Sequence, residues 1–299
     1  FLDNAEGQRL GTFDRVEEVI AAEGKTLAFA MNAGMYHPDR YHAVVGVHPD
    51  ARGQGVGRAI ARTLAANGAQ VIVNDLDAAR AQAVVDELCA DGSIAIAMVA
   101  DVSNLEQVRS GLETAQVAIG PISLLINNAG NRGPASMADD LKPFWETDPA
   151  RWQEYLAVNL IGVMNCCHAV LPGMIAQNYG RIVTITSDAS RMLDGYLTDY
   201  AAAKAGAAGF MRGLAADSAR YGVTANCVSI ATILPTMPAE QLEAFLASPQ
   251  SKAQLSRYLV RRYGIPEDVA PVVLMLCSNN AGWITGQNYP VNGGYSPSL

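Results

Sequence analysis

The chain has 299 residues, half of them hydrophobic and 17% charged, with a net charge of −8. That is enough for one large domain or two small ones around a sizeable core, and the acidic balance argues against a nucleic-acid phosphate backbone as partner. No apolar run approaches the ~18 residues of a membrane span, no basic stretch leading into an apolar one opens the chain, and neither the five cysteines nor the four histidines show the spacing of a metal or redox site.

The cysteines (Cys89, Cys166, Cys167, Cys227 and Cys277) are expected to be small buried hydrophobes in a reducing cytoplasm. In chain order, residues 1–42 stand apart. "FDRVEEVIAAEG" has a short helical pattern with Val16, Val19 and Ile20 on one face, and "KTLAFAMNAGMYHPDR" has the look of a strand and turn. The latter resembles a short stretch of the phosphodiester glycosidase family, too little to build that domain. Residues 1–42 are therefore expected to be an appendage of no assigned function.

From residue 43 apolar strand-like runs alternate with Ala-rich helical patterns. "YHAVVGV" leads through a glycine turn into "GRAIARTLAANG"; then come "AQVIVND", a helix from Ala78 to Ala90, "SIAIAMVAD", a helix from about Asn104, and "SLLINNAG". "WQEYLAVNLIGVMNCCHAVLPGMIAQN" is expected to be one long helix, "GRIVTITS" a strand, "YAAAKAGAAGFMRGLAADSARYG" a helix and "VTANCVSI" a strand. Strands that alternate with helices and lack period-2 polarity belong to a parallel sheet covered on both faces. The expected fold is α/β, a doubly wound Rossmann-type parallel sheet in a single domain, residues 43–299, with ligands at the carboxyl ends of the strands.

The densest chemistry lies in "TSDASRMLDGYLTDYAAAK". Tyr200 and Lys204, four apart, project from one helix face. A phenol with a pKa near ~10 is a poor base at neutral pH. A lysine ammonium one turn away favours the phenolate and lowers that pKa. Ser187 ends a strand thirteen residues earlier, where it can hydrogen-bond a substrate oxygen.

These residues resemble the short-chain dehydrogenase/reductase family, and the similarity runs from about residue 43 to the end. "YAAAK" matches its Y-x-x-x-K, Ser187 stands at its serine spacing, and Asn159 in "AVNLIG" matches the helix asparagine of its tetrad. "NNAG" (Asn128, Ala129, Gly130) matches the motif beside the cofactor's adenosine and ribose, and "ITGQNYPVNGG" the closing strand. The resemblance implies hydride transfer between a nicotinamide and a small-molecule secondary alcohol or ketone. Tyr200 would be the general acid/base, Lys204 its modulator and a ligand of the nicotinamide ribose, Ser187 the support of the substrate oxygen, and Asn159 the holder of a relay water. No metal is implied. Asp101 and Val102, in "ADVSN", would flank the adenine, although Asp101 alone also reads as a helix cap. The helices around 152–177 and 200–221 would be buried against further subunits, implying a homotetramer.

The first glycine loop, "HPDARGQGVGRAIA", departs from the family's T-G-x-x-x-G-x-G. Gly55 and Gly57 fall on its last two glycines, Ala51 on the first and Asp50 on the threonine. Gly53, Gln54, Gly55, Val56 and Gly57 would receive a pyrophosphate on a helix N-terminus. Ala51 puts a Cβ where the turn calls for φ > 0. Loop 47–58 taken alone is also similar to the acyl-CoA loop of GNAT acetyltransferases, satisfied by Arg52, Gly55 and Gly57; an acyl-CoA transferase and a catalytically silent mosaic are the alternatives. The 42 preceding residues cannot supply the strands an acetyltransferase needs. Asp75, eighteen residues beyond Gly57 and with no Arg directly after it, points to NAD rather than NADP. A second departure is Ile230-Ala231, where the family has Pro-Gly. Thr232 to Tyr263 would form the substrate lid, with Arg261 and Arg262 as solvated surface charges.

Overall fold

The computed structural model describes residues 42–46, 55–130, 142–192, 197–234 and 237–296. The expectations for the appendage up to residue 41, and for Ala51, Gly53 and Gln54, lie outside the described residues. Seven strands form one sheet: β1 His42–Gly46, β2 Gln70–Asp75, β3 Ala95–Val99, β4 Leu124–Asn127, β5 Gly180–Ser187, β6 Val223–Ile230 and β7 Asn288–Val291. Their order is β3-β2-β1-β4-β5-β6-β7 and every pairing is parallel. The order reverses between β1 and β4, and that switch point opens a crevice at the carboxyl ends of the strands.

Successive strand residues face opposite ways, so each strand feeds two cores. Ala43, Val45, Val71, Val73, Leu124 and Ile126 pack beneath α1 (Val56–Ala66), α2 (Ala78–Ala90) and α9 (Pro266–Cys277). Val44, Ile72, Leu125 and Ile182 pack beneath α3 (Leu105–Ile119), α5 (Gly162–Gln177) and α6 (Thr198–Ser218). The caps set where helices begin. Asp77 accepts from the N–H groups of Ala79 and Arg80 at the start of α2, Asn104 does the same for α3, and Asp148 precedes Pro149 at the start of α4, Pro149–Leu156. Between β6 and α9 lie two short helices, α7 (Ala239–Ala247) and α8 (Pro249–Leu255).

The long helix is interrupted. Between α4 and α5 the segment Ala157–Ile161 winds as one π turn. Asn159, fully buried there, donates from Nδ2 to the Tyr155 carbonyl at 3.1 Å. A side chain that claims a carbonyl four residues back competes with the helix ladder, and such π turns gather at functional sites.

The expectation about membrane-length runs needs amending as well. The helical stretch Trp152–Gln177, π turn included, has 26 residues and a mean hydropathy of 1.5 in its most apolar window. It is long and apolar enough to cross a membrane by those measures alone. In this fold it covers one face of the sheet, packed on α3, β4 and β5.

Candidate active site

Tyr200 sits in the first turn of α6 and Lys204 one turn further on. The Lys204 ammonium donates to the Ile185 carbonyl of β5 at 3.0 Å and is only 6% exposed. Burial holds its pKa down, from 10.5 to about 8. The turn after β4 passes so close that a methyl group on Gly130 would lie 2.8 Å from Asn159 Oδ1 and 3.1 Å from Lys204 Nζ. Gly130, Asn159 and Lys204, from three separate elements, thus meet at one point. The Tyr200 ring meets the Tyr155 ring edge-on, with centroids 6.0 Å apart. Tyr155 thereby touches the tyrosine with its ring and Asn159 with its carbonyl, a residue that no motif flags.

Ser187 is the last residue of β5, in register with Ile230 of β6. Its hydroxyl accepts from the Ala189 N–H at 3.2 Å. Ser187 and Tyr200 line one pocket of about 140 Å³, shared with Ala231, Thr232, Tyr258 and Tyr295. The turn beyond β6, which begins with Ile230-Ala231, is held by hydrogen bonds to two later segments. Thr232 N–H donates to Tyr258 Oη at 3.1 Å, and Thr232 and Leu234 exchange backbone hydrogen bonds with Gly264. Arg262, expected to be solvated, makes a two-pronged pair with Asp268 at 2.6 and 2.7 Å. The Arg262 guanidinium holds the Asp268 carboxyl below the usual carboxylate range.

On the other side of the switch point, Gly55 begins α1 with φ of 73°, a conformation that favours glycine. Among the described residues no side chain caps α1, and its first turn carries no acid, so the dipole there favours an anion. Val56 and Gly57 follow, buried in that first turn. Val102, Asn128 and Ala129 line one small cleft with Asn74 and Val158. Asp75 ends β2 with its side chain fully buried. Its Oδ1 accepts from Asp77 N–H at 2.8 Å and from Arg80 Nη2 at 3.2 Å, whereas Oδ2 is buried without a hydrogen-bond partner among the described residues. A buried carboxylate oxygen in that state calls for a donor from beyond the described residues. Arg80 is the arginine that adjacency in sequence did not reveal; the turn capped by Asp77 folds it back onto Asp75. Asp101 is not the cap of α3, since Asn104 fills that role. Asp101 Oδ1 instead accepts from Ser103 N–H at 2.8 Å and Ser103 Oγ at 2.7 Å.

Three of the five cysteines, Cys167, Cys227 and Cys277, are buried as expected, but Cys89 is exposed and Cys166 only half-buried. Burial pushes the thiols of Cys166, Cys227 and Cys277 up to about 12 and raises that of Cys167 as well, while Cys89 lies on the surface.

A doubly wound parallel sheet, a helix N-terminus at the first β–α turn left uncapped by the described residues, and a half-buried Tyr200 one turn from the buried Lys204 and Asn159 fit a dinucleotide-dependent oxidoreductase. The residues present fit such a cofactor: Asp75 Oδ2 has no partner among the described residues, and at Gly130 the backbone comes too close to Asn159 and Lys204 for any side chain. A family model described as enoyl-(acyl carrier protein) reductase matches residues 51–296. The chain is 34% identical to 2-(S)-hydroxypropyl-CoM dehydrogenase 3 of Xanthobacter autotrophicus, over 81% of this chain and 92% of that protein. It is 35% identical to the 3-oxoacyl-[acyl-carrier-protein] reductase of Escherichia coli, over 81% and 93%. A solved gluconate 5-dehydrogenase from Burkholderia cenocepacia, in complex with NADP and tartrate, superposes with a TM-score of 0.74 at 28% identity, over 87% of this chain and 97% of that one. The chain belongs to the short-chain dehydrogenase/reductase family, and its chemistry is pyridine-nucleotide-dependent hydride transfer on an alcohol or ketone. The acyl-CoA alternative finds no support in these relatives.

Proposed function

We propose that this enzyme is NAD(H)-dependent and that Tyr200, Lys204, Ser187 and Asn159 carry its proton chemistry. The bound nicotinamide would supply or accept the hydride at the carbinol carbon. Tyr200 Oη gives a proton to, or takes one from, the substrate oxygen. Lys204, cationic below about pH 8, would favour the phenolate and bond the nicotinamide ribose. Ser187 steadies the oxygen as charge develops on it, and Asn159 holds a relay water at the π turn. The approach of Gly130 to both Asn159 and Lys204, too close for any Cβ, carries this reading, because it brings the turn after β4 onto the two polar groups that the reaction would use. Around it, Gly55, Val56 and Gly57 would hold the pyrophosphate, with Gly53 and Gln54 completing the turn. Asp101, Val102, Asn128 and Ala129 would flank the adenosine.

The preference for NAD rests on Asp75. A carboxylate whose Oδ2 has no partner among the described residues would accept from a ribose 2′-hydroxyl and repel a 2′-phosphate. Arg80 offsets part of that repulsion, so the preference should be moderate. NADP in the Burkholderia gluconate 5-dehydrogenase shows that a structural relative takes the phosphorylated form. We also assign residues 43–299 to one catalytic domain, residues 1–42 to an appendage without a role in the reaction, and the enzyme to a reducing cytoplasm, in keeping with its five free thiols. Homotetramer formation is supported by Leu156, Ile161, Met164 and Ile175, all exposed along the helix Trp152–Gln177.

The test is a binding titration that follows energy transfer from the three tryptophans to reduced nucleotide. NADH should bind more tightly than NADPH, and acetyl-CoA should not compete. Tighter NADPH binding would refute the role given to Asp75. Competition by acetyl-CoA would reopen the transferase reading of loop 47–58.

A further inference from the structure

The residue after Ser187 carries a buried charge that the reaction does not use. Asp188 is 2% exposed. Its Oδ1 accepts from Arg191 Nη2 at 3.1 Å, and its Oδ2 from Asn292 Nδ2 at 2.6 Å and Ser296 Oγ at 2.8 Å. The group is closed on itself: Asn292 Nδ2 also donates to the Ser296 carbonyl at 2.8 Å, and Arg191 Nη2 to Ser296 Oγ at 2.8 Å. Its two halves stand more than a hundred residues apart in sequence. A carboxylate is tolerated out of water only when it is paired and hydrogen-bonded, and a fully satisfied buried network holds one geometry tightly.

What this network fixes is the turn that holds the serine. Residues Asp188–Ser190 form a single 3-10 turn. Its Ala189 N–H is the donor to Ser187 Oγ, and Ser190 Oγ donates to the Ser187 carbonyl at 2.6 Å. Any shift of Asp188 therefore moves the amide that orients the Ser187 hydroxyl. From the other end, residues 292–296 reach the segment lining the substrate pocket. Gly293 O accepts from Val260 N–H at 3.0 Å, and the Tyr295 ring lies 4.9 Å from that of Tyr258. Tyr258 in turn receives the Thr232 N–H.

We propose that the turn 292–296 near the carboxyl end acts through Asp188 to fix the Ser187 hydroxyl against the substrate oxygen, making Asp188, Asn292 and Ser296 positioning residues. The proposal rests on the assignment of Ser187 as the group that meets that oxygen. It separates this turn from one that merely ends the sheet, because its loss should be felt in turnover more than in cofactor binding.

A double-mutant cycle on ketone reduction tests it, with NADH affinity measured by fluorescence alongside. Deleting an oxyanion donor costs ~10²–10³-fold in kcat, so loosening one through Asp188→Ala should cost roughly tenfold to a hundredfold. NADH affinity should stay within about twofold, and in a Ser187→Ala background the same change should cost less than about threefold, since residues acting as a unit are not additive. Asp188→Asn, which keeps one acceptor oxygen, should recover part of the loss. If Asp188→Ala does not fold, Ser296→Ala carries the cycle with a smaller loss of the same pattern. Equal losses in the presence and absence of the serine, or no loss in kcat, would overturn the proposal while leaving the reading of Ser187 intact. Full activity in Ser187→Ala would overturn both.

Discussion

Lys204 should leave a mark on stability that can be read without any substrate. Its ammonium is buried, and burial lowers its pKa from 10.5 to about 8. For a cation with a depressed folded pKa the unfolded chain binds the proton more tightly. Folding is therefore penalised while the group is charged in both states, and the penalty is relieved as pH rises from about 8 toward 10.5. Each unit of that window is worth about 1.4 kcal/mol, so between pH 7 and about pH 9.5 wild type should gain roughly 2 kcal/mol relative to Lys204→Met. Other titrating groups cancel in that difference, as does the lost bond to the Ile185 carbonyl, to the extent that its contribution does not vary with pH. The assay is urea unfolding of both proteins, free of cofactor and at fixed concentration, at the two pH values. Parallel curves, with no relative gain for wild type at the higher pH, would show that the ammonium is hydrated and that Lys204 is not buried as described.

Gly130→Ala places a methyl group against Asn159 Oδ1 and Lys204 Nζ. It should weaken NADH binding and lower turnover together, and unchanged affinity would remove the cofactor from that corner. Ala51→Gly should strengthen NADH binding several-fold, up to the roughly tenfold that a strain of 1–2 kcal/mol represents, whereas removing residues 1–42 should change it little; an unchanged or weaker affinity in the glycine variant would mean that the loop does not take the family's turn. Light scattering at micromolar concentration should give the mass of a tetramer, and a monomer would count against the exposed apolar face of Trp152–Gln177 as a subunit interface.

Much of this fold was legible because its strands are buried on both faces and its turns are punctuated. "GRIVTITS" and "VTANCVSI" are apolar runs that stop at a chemical boundary, and the structure ends β5 at Ser187 and β6 at Ile230. The helix Ala78–Ala90 matches its expected bounds because Asp77 caps it. The π turn at Asn159 was not legible, since one extra residue per turn barely disturbs a pattern that is apolar nearly all round. Tyr200, Lys204, Ser187 and Asn159 could be found because their spacing is local or motif-bound. Arg80 and the Asp188 network could not. The first reaches Asp75 through the geometry of a capped turn, and the second joins residues that only the sheet order brings together. Asp101 shows the converse: a sequence that begins "DVSN" offers two caps, and the chain uses Asn104.

Turnover of Tyr200→Phe tests the central claim most directly, because the change removes one hydroxyl from the face that Lys204 shares and leaves the cofactor side untouched. Ketone reduction should fall by the ~10²–10⁴-fold that a general acid/base contributes, with NADH affinity within a few-fold of wild type. A variant that keeps more than about a tenth of the wild-type rate, short of even the low end of that range, would contradict the assignment of Tyr200 as the proton-transfer group.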